Sequence, residues 1–270
     1  MHKIEANQYR FKSSHAIDKQ PTTPHDLMHL SPKDCVGHTA ELGDRLNKQQ
    51  NLVHATRTKG VLVVLQGMDT AGKDGVVRHV FQHVSPLGVR AEAFSAPSDL
   101  EKQHDFLWRV HQKVPALGEM VIFNRSHYED VLITRVRKWI DAQTCKARFA
   151  HIRQFEELLN DSGIRVVKFF LNISNEEQRT RLKARLDDPH KRWKLQASDF
   201  EDRKHWNEYM HAYQEAIAHT DSDSSPWYVI PADSKPHRDL IIAHILTHTL
   251  EDLKLSPPES DVDFSNVDLS

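Results

Sequence analysis

A nine-residue stretch from Gly67 to Gly75 constrains the fold more than any other part of this chain. Its sequence is Gly-Met-Asp-Thr-Ala-Gly-Lys-Asp-Gly, between the apolar run 61–65 and a helix-like run that begins at Val76. A strand, a glycine-rich turn with lysine and a helix, in this order, are typical of a phosphate-binding loop. The stretch therefore predicts an α/β protein that binds phosphate.

Most positions of this loop have a clear chemical use. The glycines at 67, 72 and 75 let the backbone turn so that its N–H groups face phosphate oxygens. The positive end of the following helix adds to this attraction, and Lys73 supplies a mobile charge for a phosphoryl oxygen. We therefore assign the whole loop to phosphate and nucleotide binding. Its members besides Lys73 and Asp69 are Gly67, Met68, Thr70, Ala71, Gly72, Asp74 and Gly75.

Two carboxylates depart from the usual composition of such loops. Asp74 stands where most of them carry Ser or Thr as a Mg²⁺ ligand, and Asp69 lies inside the loop. An acid beside phosphate repels the ligand unless a cation lies between them, and hard cations prefer carboxylate oxygen. Asp69 is therefore predicted to bind Mg²⁺, directly or through water. The alternative at this point is a glycine-rich turn that binds nothing.

Composition limits the classes of protein to consider. A chain of 270 residues with 39% hydrophobic residues builds one large domain or one domain with additions, and no apolar run approaches the roughly 18 residues of a membrane span. The N-terminus lacks an apolar signal region, and the two cysteines form no motif. We expect a soluble cytoplasmic protein without a membrane partner. A net charge of −2 excludes a globally basic nucleic-acid coat.

Strands and helices alternate along the chain. Besides 61–65, apolar runs predict strands at 89–94, 120–123, 166–173 and 227–230. Helical spacing or capping signals predict helices at 39–56, 98–113, 144–160, 175–186 and 239–253, with Gly163 ending the third of them. Alternation of this kind predicts a parallel sheet with helices on both faces.

The chain divides into three parts on composition. Residues 1–35 are polar and contain three prolines, which predicts an N-terminal arm that wraps the domain without joining its core. The P-loop domain is predicted over 36–255. The Pro-, Ser- and Asp-rich residues 256–270 are predicted to be a disordered tail.

A second functional stretch follows the strand at 120–123. Ligands of parallel sheets lie at the carboxyl ends of strands, so this stretch is expected beside the phosphate loop. Arg125 can bind phosphate with two N–H groups, and Asn124 and Glu129 are candidate metal ligands together with Asp69. The alternative is a capped helix start with surface charges.

A third stretch, 179–194, holds seven Lys or Arg against two Asp. In P-loop kinases of nucleotides this place carries a mobile lid, whose cations neutralise phosphoryl charge and whose closure excludes water. Arg181 and Arg185 are four residues apart and share a helix face. From the residues alone, a lid over 179–200 and a solvated helix face are equally supported.

Together these stretches resemble the polyphosphate kinase 2 family. The similarity covers about residues 30–253 and rests on 67–75, on Phe123-Asn-Arg-Ser-His-Tyr-Glu-Asp-Val-Leu132, on Arg185-Leu-Asp-Asp-Pro189 with Trp193, and on Pro226–Asp233. The resemblance implies a P-loop kinase fold of the thymidylate-kinase type with a helical lid. It also implies phosphoryl transfer between inorganic polyphosphate and a nucleotide with Mg²⁺.

The resemblance also implies roles for single residues. Asp69, Lys73 and Arg125 match catalytic positions, and the lid cations that match phosphate-binding positions are Arg185, Lys191 and Lys194. Asn124 stands where many members have Asp, which weakens a two-carboxylate metal site. Its motif nevertheless resembles the subgroup that phosphorylates both nucleoside mono- and diphosphates.

The predicted function is therefore reversible, in-line phosphoryl transfer from polyphosphate to AMP and ADP, with guanine nucleotides as a second option. The family implies a homodimer or homotetramer, and no nucleic-acid partner is expected. Two alternatives stay open. One is an ATP-dependent nucleoside monophosphate kinase on the same fold. The other is a non-catalytic polyanion-binding module that uses the basic stretch 179–194 and Trp193.

Overall fold

Five parallel strands form the centre of the molecule, whose computed structural model describes residues 4–259. The strands are β1 (Gly60–Gln66), β2 (Val89–Ala93), β3 (Met120–Asn124), β4 (Ile164–Asn172) and β5 (Trp227–Pro231). Their order across the sheet is β2-β3-β1-β4-β5. All five strands predicted from the sequence are confirmed.

The strand register places the carboxyl ends of β1, β3 and β4 beside one another. Leu65 of β1 lies opposite Asn124 of β3, and Gln66 lies opposite Phe170 of β4. The backbone N–H of Arg125 donates to Leu65 O at 3.1 Å, which continues the pairing past the end of β3. The second functional stretch therefore lies beside the phosphate loop, as predicted.

Helices cover the sheet in two groups. The connection from β1 to β2 runs towards one edge of the sheet, and the connection from β3 to β4 runs towards the other edge. Because such crossovers are right-handed, their helices lie on opposite faces of the sheet. Helices α1, α2 and α9 pack together, and α5 packs against α8 and β4. The bounds are α1 (Pro32–Thr56), α2 (Lys73–Val80), α3 (Trp108–His111), α4 (Ile133–Val136), α5 (Ala142–Asp161), α6 (Asn175–Asp187), α7 (Ala197–Lys204), α8 (Trp206–Thr220) and α9 (Lys235–Glu251). The predicted parallel sheet with helices on both faces is confirmed.

Several helix ends follow local capping chemistry. The Ser31 hydroxyl and the Asp34 carboxylate form a capping box, so α1 begins at Pro32, seven residues before the predicted start. Gly163 follows α5 with φ of +86°, as expected for a helix-ending glycine. Among the described residues, no helix combines the length and apolar character that crossing a membrane requires. Residues 260–270 of the predicted tail lie outside the described part of the chain.

The helix predicted over 98–113 is wrong. Ser98 and Glu101 do form reciprocal capping hydrogen bonds, but only a 3₁₀ turn follows, at Glu101–Gln103. His104 is extended, and the Asp105 carboxylate accepts the Leu107 N–H at 2.9 Å. This local bond competes with helical hydrogen bonding. The α-helical part is the four-residue α3.

The N-terminal segment contributes to the core, against the prediction. Ile4, Tyr9, Phe11, Ile17 and Leu27 are buried in the main hydrophobic cluster. The backbone around Arg10 also pairs with the outer edge of β5, where Tyr9 O accepts the Val229 N–H at 2.8 Å. This pairing covers a strand edge that would otherwise be open to other chains.

A buried polar cluster joins β4 to α5, to the end of α8 and to the residues that follow β3. Lys168 on β4 is fully buried and donates to Glu156 Oε2 on α5 at 2.5 Å and to Thr220 O at 2.8 Å. The Tyr128 hydroxyl donates to Glu156 Oε1 at 2.8 Å, and His127 Nε2 lies 3.3 Å from the same oxygen. His127 and Tyr128 of the stretch after β3 therefore have structural roles.

Replacing Lys168 alone should destabilise the fold strongly. Lys168→Met leaves the Glu156 carboxylate buried without its cation, which typically costs about 3–5 kcal/mol. We expect a loss of this size in urea unfolding followed by circular dichroism. The double variant Lys168→Met/Glu156→Leu should recover much of it. Lys204→Met, which removes an exposed ion pair with Glu201, should cost less than about 1 kcal/mol; equal losses in the two single variants would contradict the argument.

Candidate active site

The phosphate loop has the backbone shape that its sequence predicts. Gly67 and Gly72 take φ values of +153° and +104°, and Thr70 is a non-glycine residue at +65°. The Ala71 N–H donates to Met68 O at 3.0 Å and closes a turn. Helix α2 begins directly after it, at Lys73. A strand, a tight turn and a helix N-terminus therefore converge at one point, as anion binding requires.

Lys73 lies across the loop rather than pointing into solvent. Its side chain is 8% exposed, and Nζ donates to Gly67 O at 2.7 Å and Met68 O at 3.3 Å. Burial, and after it the Arg125 guanidinium, lower the pKa of the Lys73 ammonium group to about 8, while Asp69 and Glu129 oppose the shift. The ammonium group is thus charged at neutral pH and close to losing its proton.

Arg125 connects the two predicted acids of the site. Its Nη2 donates to Asp69 Oδ1 at 2.5 Å, and its Nη1 lies 3.5 Å from Glu129 Oε2. The Arg125 backbone has φ of +63°, an unusual value for a residue with a side chain. Glu129, and also Asp69, raise the pKa of the guanidinium. Burial raises the pKa of the Glu129 carboxyl against the attraction of Arg125 and Lys73.

Asn124 faces the second acid of the loop. Its amide nitrogen donates to Asp74 Oδ1 at 2.7 Å, and Lys194 Nζ lies 4.0 Å from Asp74 Oδ2. Asn124 therefore makes a contact that an aspartate could not make without a proton. Asp74 lies between β3 and the cationic segment that follows α6.

These side chains fit a magnesium ion that shares its ligands with substrate. Within residues 4–259, no group of three or more His, Cys, Asp or Glu side chains is placed to hold a metal ion by itself. Mg²⁺ usually binds through one or two carboxylates, with phosphates and waters completing its shell. Asp69 and Glu129 both contact Arg125, so their carboxylates lie in one neighbourhood. The donor set is thus suited to Mg²⁺ brought with phosphate.

The predicted lid residues differ in their surroundings. The stretch 179–200 comprises the second half of α6, a 3₁₀ turn at Arg192–Lys194 and the start of α7. Lys191 is exposed and pairs with Asp188 at 2.6 Å. Trp193 is 76% exposed, with Lys194 Nζ 5.2 Å from its ring centroid. Across the described residues, Arg185 makes no hydrogen bond or ion pair.

Arg181 does not fit the phosphate-binding role predicted for it. Nη1 donates to Thr70 O at 3.0 Å and Ala71 O at 3.2 Å, and Nη2 donates to Ala232 O at 2.8 Å and Asp233 O at 2.7 Å. Nε donates to Glu177 Oε1 at 2.7 Å. An arginine has five N–H groups, and all five are engaged by these contacts. The i, i+4 spacing from Arg185 indicated a shared face, but Arg181 is buried against the loop.

Two residues of the site escaped the sequence analysis. Gln178 Nε2 donates to Asp69 O at 3.2 Å, and Arg238 Nη1 donates to Ala71 O at 3.0 Å. Both are at most 1% exposed, on α6 and α9. The one signal in the sequence was a charged pair, Arg238 and Asp239, directly before the apolar run 240–243 of α9. The partner of Arg238 in the loop could not be named without the fold.

The fold and the site define a P-loop phosphotransferase of the kinase type. The family model described as Polyphosphate kinase 2 (PPK2) matches residues 29–257. The chain therefore belongs to the polyphosphate kinase 2 family.

Relatives of known name align with this chain over most of its length. An "AMP/ADP-polyphosphate phosphotransferase" of Meiothermus ruber is 50% identical over 222 residues, covering 82% of this chain and 83% of that protein. An "ADP-polyphosphate phosphotransferase" of Rhodopseudomonas palustris is 40% identical over 96% of this chain and 94% of that protein. The crystal structure of polyphosphate kinase 2 from Arthrobacter aurescens TC1 superimposes with a TM-score of 0.93, at 40% identity, over 96% of this chain and 93% of that one.

The site predicts loss of activity at alkaline pH. Above about 8, the pKa of Lys73, the ammonium group becomes neutral and no longer attracts phosphate. We expect kcat/KM, which reports the free enzyme, to fall about tenfold per pH unit above this value in assays from pH 7 to 9.5.

Lys73→Arg is the matched variant, because a guanidinium keeps its charge throughout this range. The variant should be slower but nearly independent of pH between 7.5 and 9.5. An alkaline decline of the same shape in both proteins would assign the titration to another group.

Proposed function

We propose that this protein transfers the terminal phosphoryl group of inorganic polyphosphate to AMP and ADP. The observation that carries the proposal is a phosphate loop whose acid, Asp69, pairs with Arg125 beside Lys73, in a chain of the polyphosphate kinase 2 family. The acceptors are taken from the Meiothermus ruber relative, whose name includes both AMP and ADP. Guanine nucleotides remain a second option for the base.

The transfer needs little acid–base chemistry. An oxygen of the acceptor's phosphate attacks the terminal phosphorus of the polyphosphate chain, and the bond to the bridging oxygen breaks as the new one forms. The acceptor oxygen is already anionic, so no base must remove a proton from it. The shortened polyphosphate leaves with the bridging oxygen and its electron pair. The protein's tasks are alignment and neutralisation of charge.

Lys73 and Arg125 neutralise the transferring phosphoryl group in this proposal. Both cations lie at the carboxyl edge of the sheet, and their mutual repulsion is reduced by Asp69 and Glu129. Arg125 presents a planar fork that suits phosphate oxygens. Asp69 holds Arg125 in place through the 2.5 Å contact and thereby orients the fork before the substrate binds.

Mg²⁺ is part of the proposal, with Asp69 and Glu129 as its carboxylate ligands. When bound, it would neutralise phosphate charge that the side chains leave uncompensated. Asn124 remains a candidate ligand through its carbonyl oxygen, since its amide nitrogen donates to Asp74. This arrangement explains how an acid can lie inside a phosphate loop without expelling phosphate.

The cations that follow the first half of α6 act as the lid. Arg185, Lys191 and Lys194 contribute positive charge to the chain's phosphates, and closure excludes water that would otherwise accept the phosphoryl group. Lys194 already lies within 4.0 Å of Asp74 at the loop. The domain limits, the homo-oligomeric state and the cytoplasmic location stay predictions.

The alternatives are less well supported. An ATP-dependent monophosphate kinase on the same fold would require a nucleoside pocket for the donor. A binding module would have no use for an acid paired with Arg125 beside Lys73. Neither alternative is suggested by the names of the relatives.

Nucleotide products distinguish these possibilities directly. Purified protein with Mg²⁺ and AMP is given long-chain polyphosphate or ATP as donor, and the nucleotides are resolved by chromatography. We expect ADP and ATP with polyphosphate. ADP alone would limit the acceptor to AMP. Product with ATP as the only donor would make the protein an ordinary nucleotide kinase, and no product with either donor would favour the binding module.

Asp69→Asn tests the role of the loop acid. The amide cannot neutralise Arg125 or bind Mg²⁺ as a carboxylate does, so we expect kcat to fall about 100-fold or more while the thermal midpoint changes little. Asp44→Asn is the control, because Asp44 is an exposed acid on α1. An Asp69→Asn variant with the rate of the control would remove Asp69 from the mechanism.

A further inference from the structure

We propose that Arg181 and Arg238 are positioning residues that, with Gln178, hold the phosphate loop in its ligand-binding shape. They bind the carbonyl oxygens of Asp69, Thr70 and Ala71 from the side of the loop that faces α6 and α9. The inference deepens the proposed function and rests on it, because it concerns how the same loop receives polyphosphate.

Peptide geometry connects these carbonyl contacts to phosphate binding. In a trans peptide, the C=O of one residue and the N–H of the next point in opposite directions. Fixing the carbonyls of residues 69 and 71 towards α6 and α9 therefore turns the N–H groups of Thr70 and Gly72 the other way. The Ala71 N–H closes the turn by donating to Met68 O. The remaining N–H groups can then converge on an anion.

The two arginines make contacts that a lysine cannot reproduce. Arg181 spans from the loop to the carbonyls of Ala232 and Asp233 just after β5, so it fixes the loop relative to the sheet. Arg238 donates Nε and Nη2 to Asp239 Oδ1 at 2.9 and 2.6 Å, which orients Nη1 towards Ala71 O. A lysine keeps the positive charge but offers one compact donor group in place of a fork.

The glycine at position 72 is explained by the same contact. A Cβ built on Gly72 would lie 2.0 Å from Arg238 Nη1, and one on Gly75 would lie 3.1 Å from Nη2. The guanidinium occupies the space that a side chain would need at the start of α2. It is therefore packed directly behind the loop, where a small displacement changes the direction of the N–H groups.

Variants that keep the positive charge distinguish a positioning role from an electrostatic one. A control variant elsewhere in the fold distinguishes it from a general loss of stability. We would prepare Arg181→Lys and Arg238→Lys, with Arg10→Lys as the matched control. Arg10 also donates to two backbone carbonyls, Trp227 O and Ser222 O, and pairs with an aspartate, Asp221, but it does so at the amino end of β5. Gln178→Met, which frees the Asp69 carbonyl of the loop and also removes a contact with Arg203, serves if an arginine variant fails to fold.

Binding and turnover are measured on each folded protein. Calorimetry with inorganic tripolyphosphate and Mg²⁺ gives Kd without any reaction, and the AMP assay gives kcat and KM for polyphosphate. We expect Arg181→Lys and Arg238→Lys to raise Kd about tenfold and to lower kcat/KM by about 100-fold, because misdirected donors no longer meet the phosphate oxygens. Arg10→Lys should lower the thermal midpoint by a similar amount and change neither constant by more than about twofold.

The measurements distinguish a failure of this inference from a failure of the proposed function. Folded arginine variants whose Kd and kcat/KM match the control would overturn the inference and leave the proposed function intact. A wild-type protein that binds tripolyphosphate but transfers nothing to AMP would overturn the proposed function, and the comparison of Kd values would still decide the inference. Wild-type protein that binds no tripolyphosphate would overturn both.

Discussion

The direction of a few peptide groups between Gly67 and Ala71 is the constraint on which the site depends. Each carbonyl in this stretch accepts a side-chain N–H, from Lys73, Gln178, Arg181 or Arg238. Buried carbonyls without partners would cost free energy and would allow the peptides to rotate. The supports come from α2, α6 and α9, so the loop's shape is determined by the packing of the whole domain.

Charge balance is the second requirement, because the loop carries acids where phosphate must come. Asp69 and Glu129 flank the Arg125 guanidinium, and Lys73 lies within their field. Both carboxylates favour the charged forms of Lys73 and Arg125. In the proposed function these acids also offer oxygen ligands to Mg²⁺. The lowered pKa of Lys73 has another origin, because burial and the Arg125 guanidinium lower it against the attraction of the carboxylates.

Patterns that depend on short stretches could be predicted, and partners that are distant in sequence could not. The apolar runs defined β1 to β5, and the order strand, turn, helix located the loop, because these features are encoded by neighbouring residues. Arg181 was predicted to bind phosphate because the basic stretch 179–194 suggested a lid, whereas its N–H groups are engaged by four backbone carbonyls and by Glu177. Arg238 and Gln178 gave almost no signal, since their roles arise only where α6 and α9 meet the loop. The 98–113 helix failed because the Asp105 side chain offered the backbone another partner.

Helix α9 makes the shape of the phosphate loop depend on a distant part of the chain. The loop follows β1, whereas Arg238 comes after β5 and belongs to α9, which also packs against α1 and α2. A nascent chain that contains β1, α2 and the cationic residues 179–194, but not yet α9, lacks the guanidinium behind Gly72. Such a chain has the loop's sequence without one of the contacts that fix its carbonyl groups. The proposed positioning role therefore implies that the loop takes its final shape only after α9 has packed onto the domain.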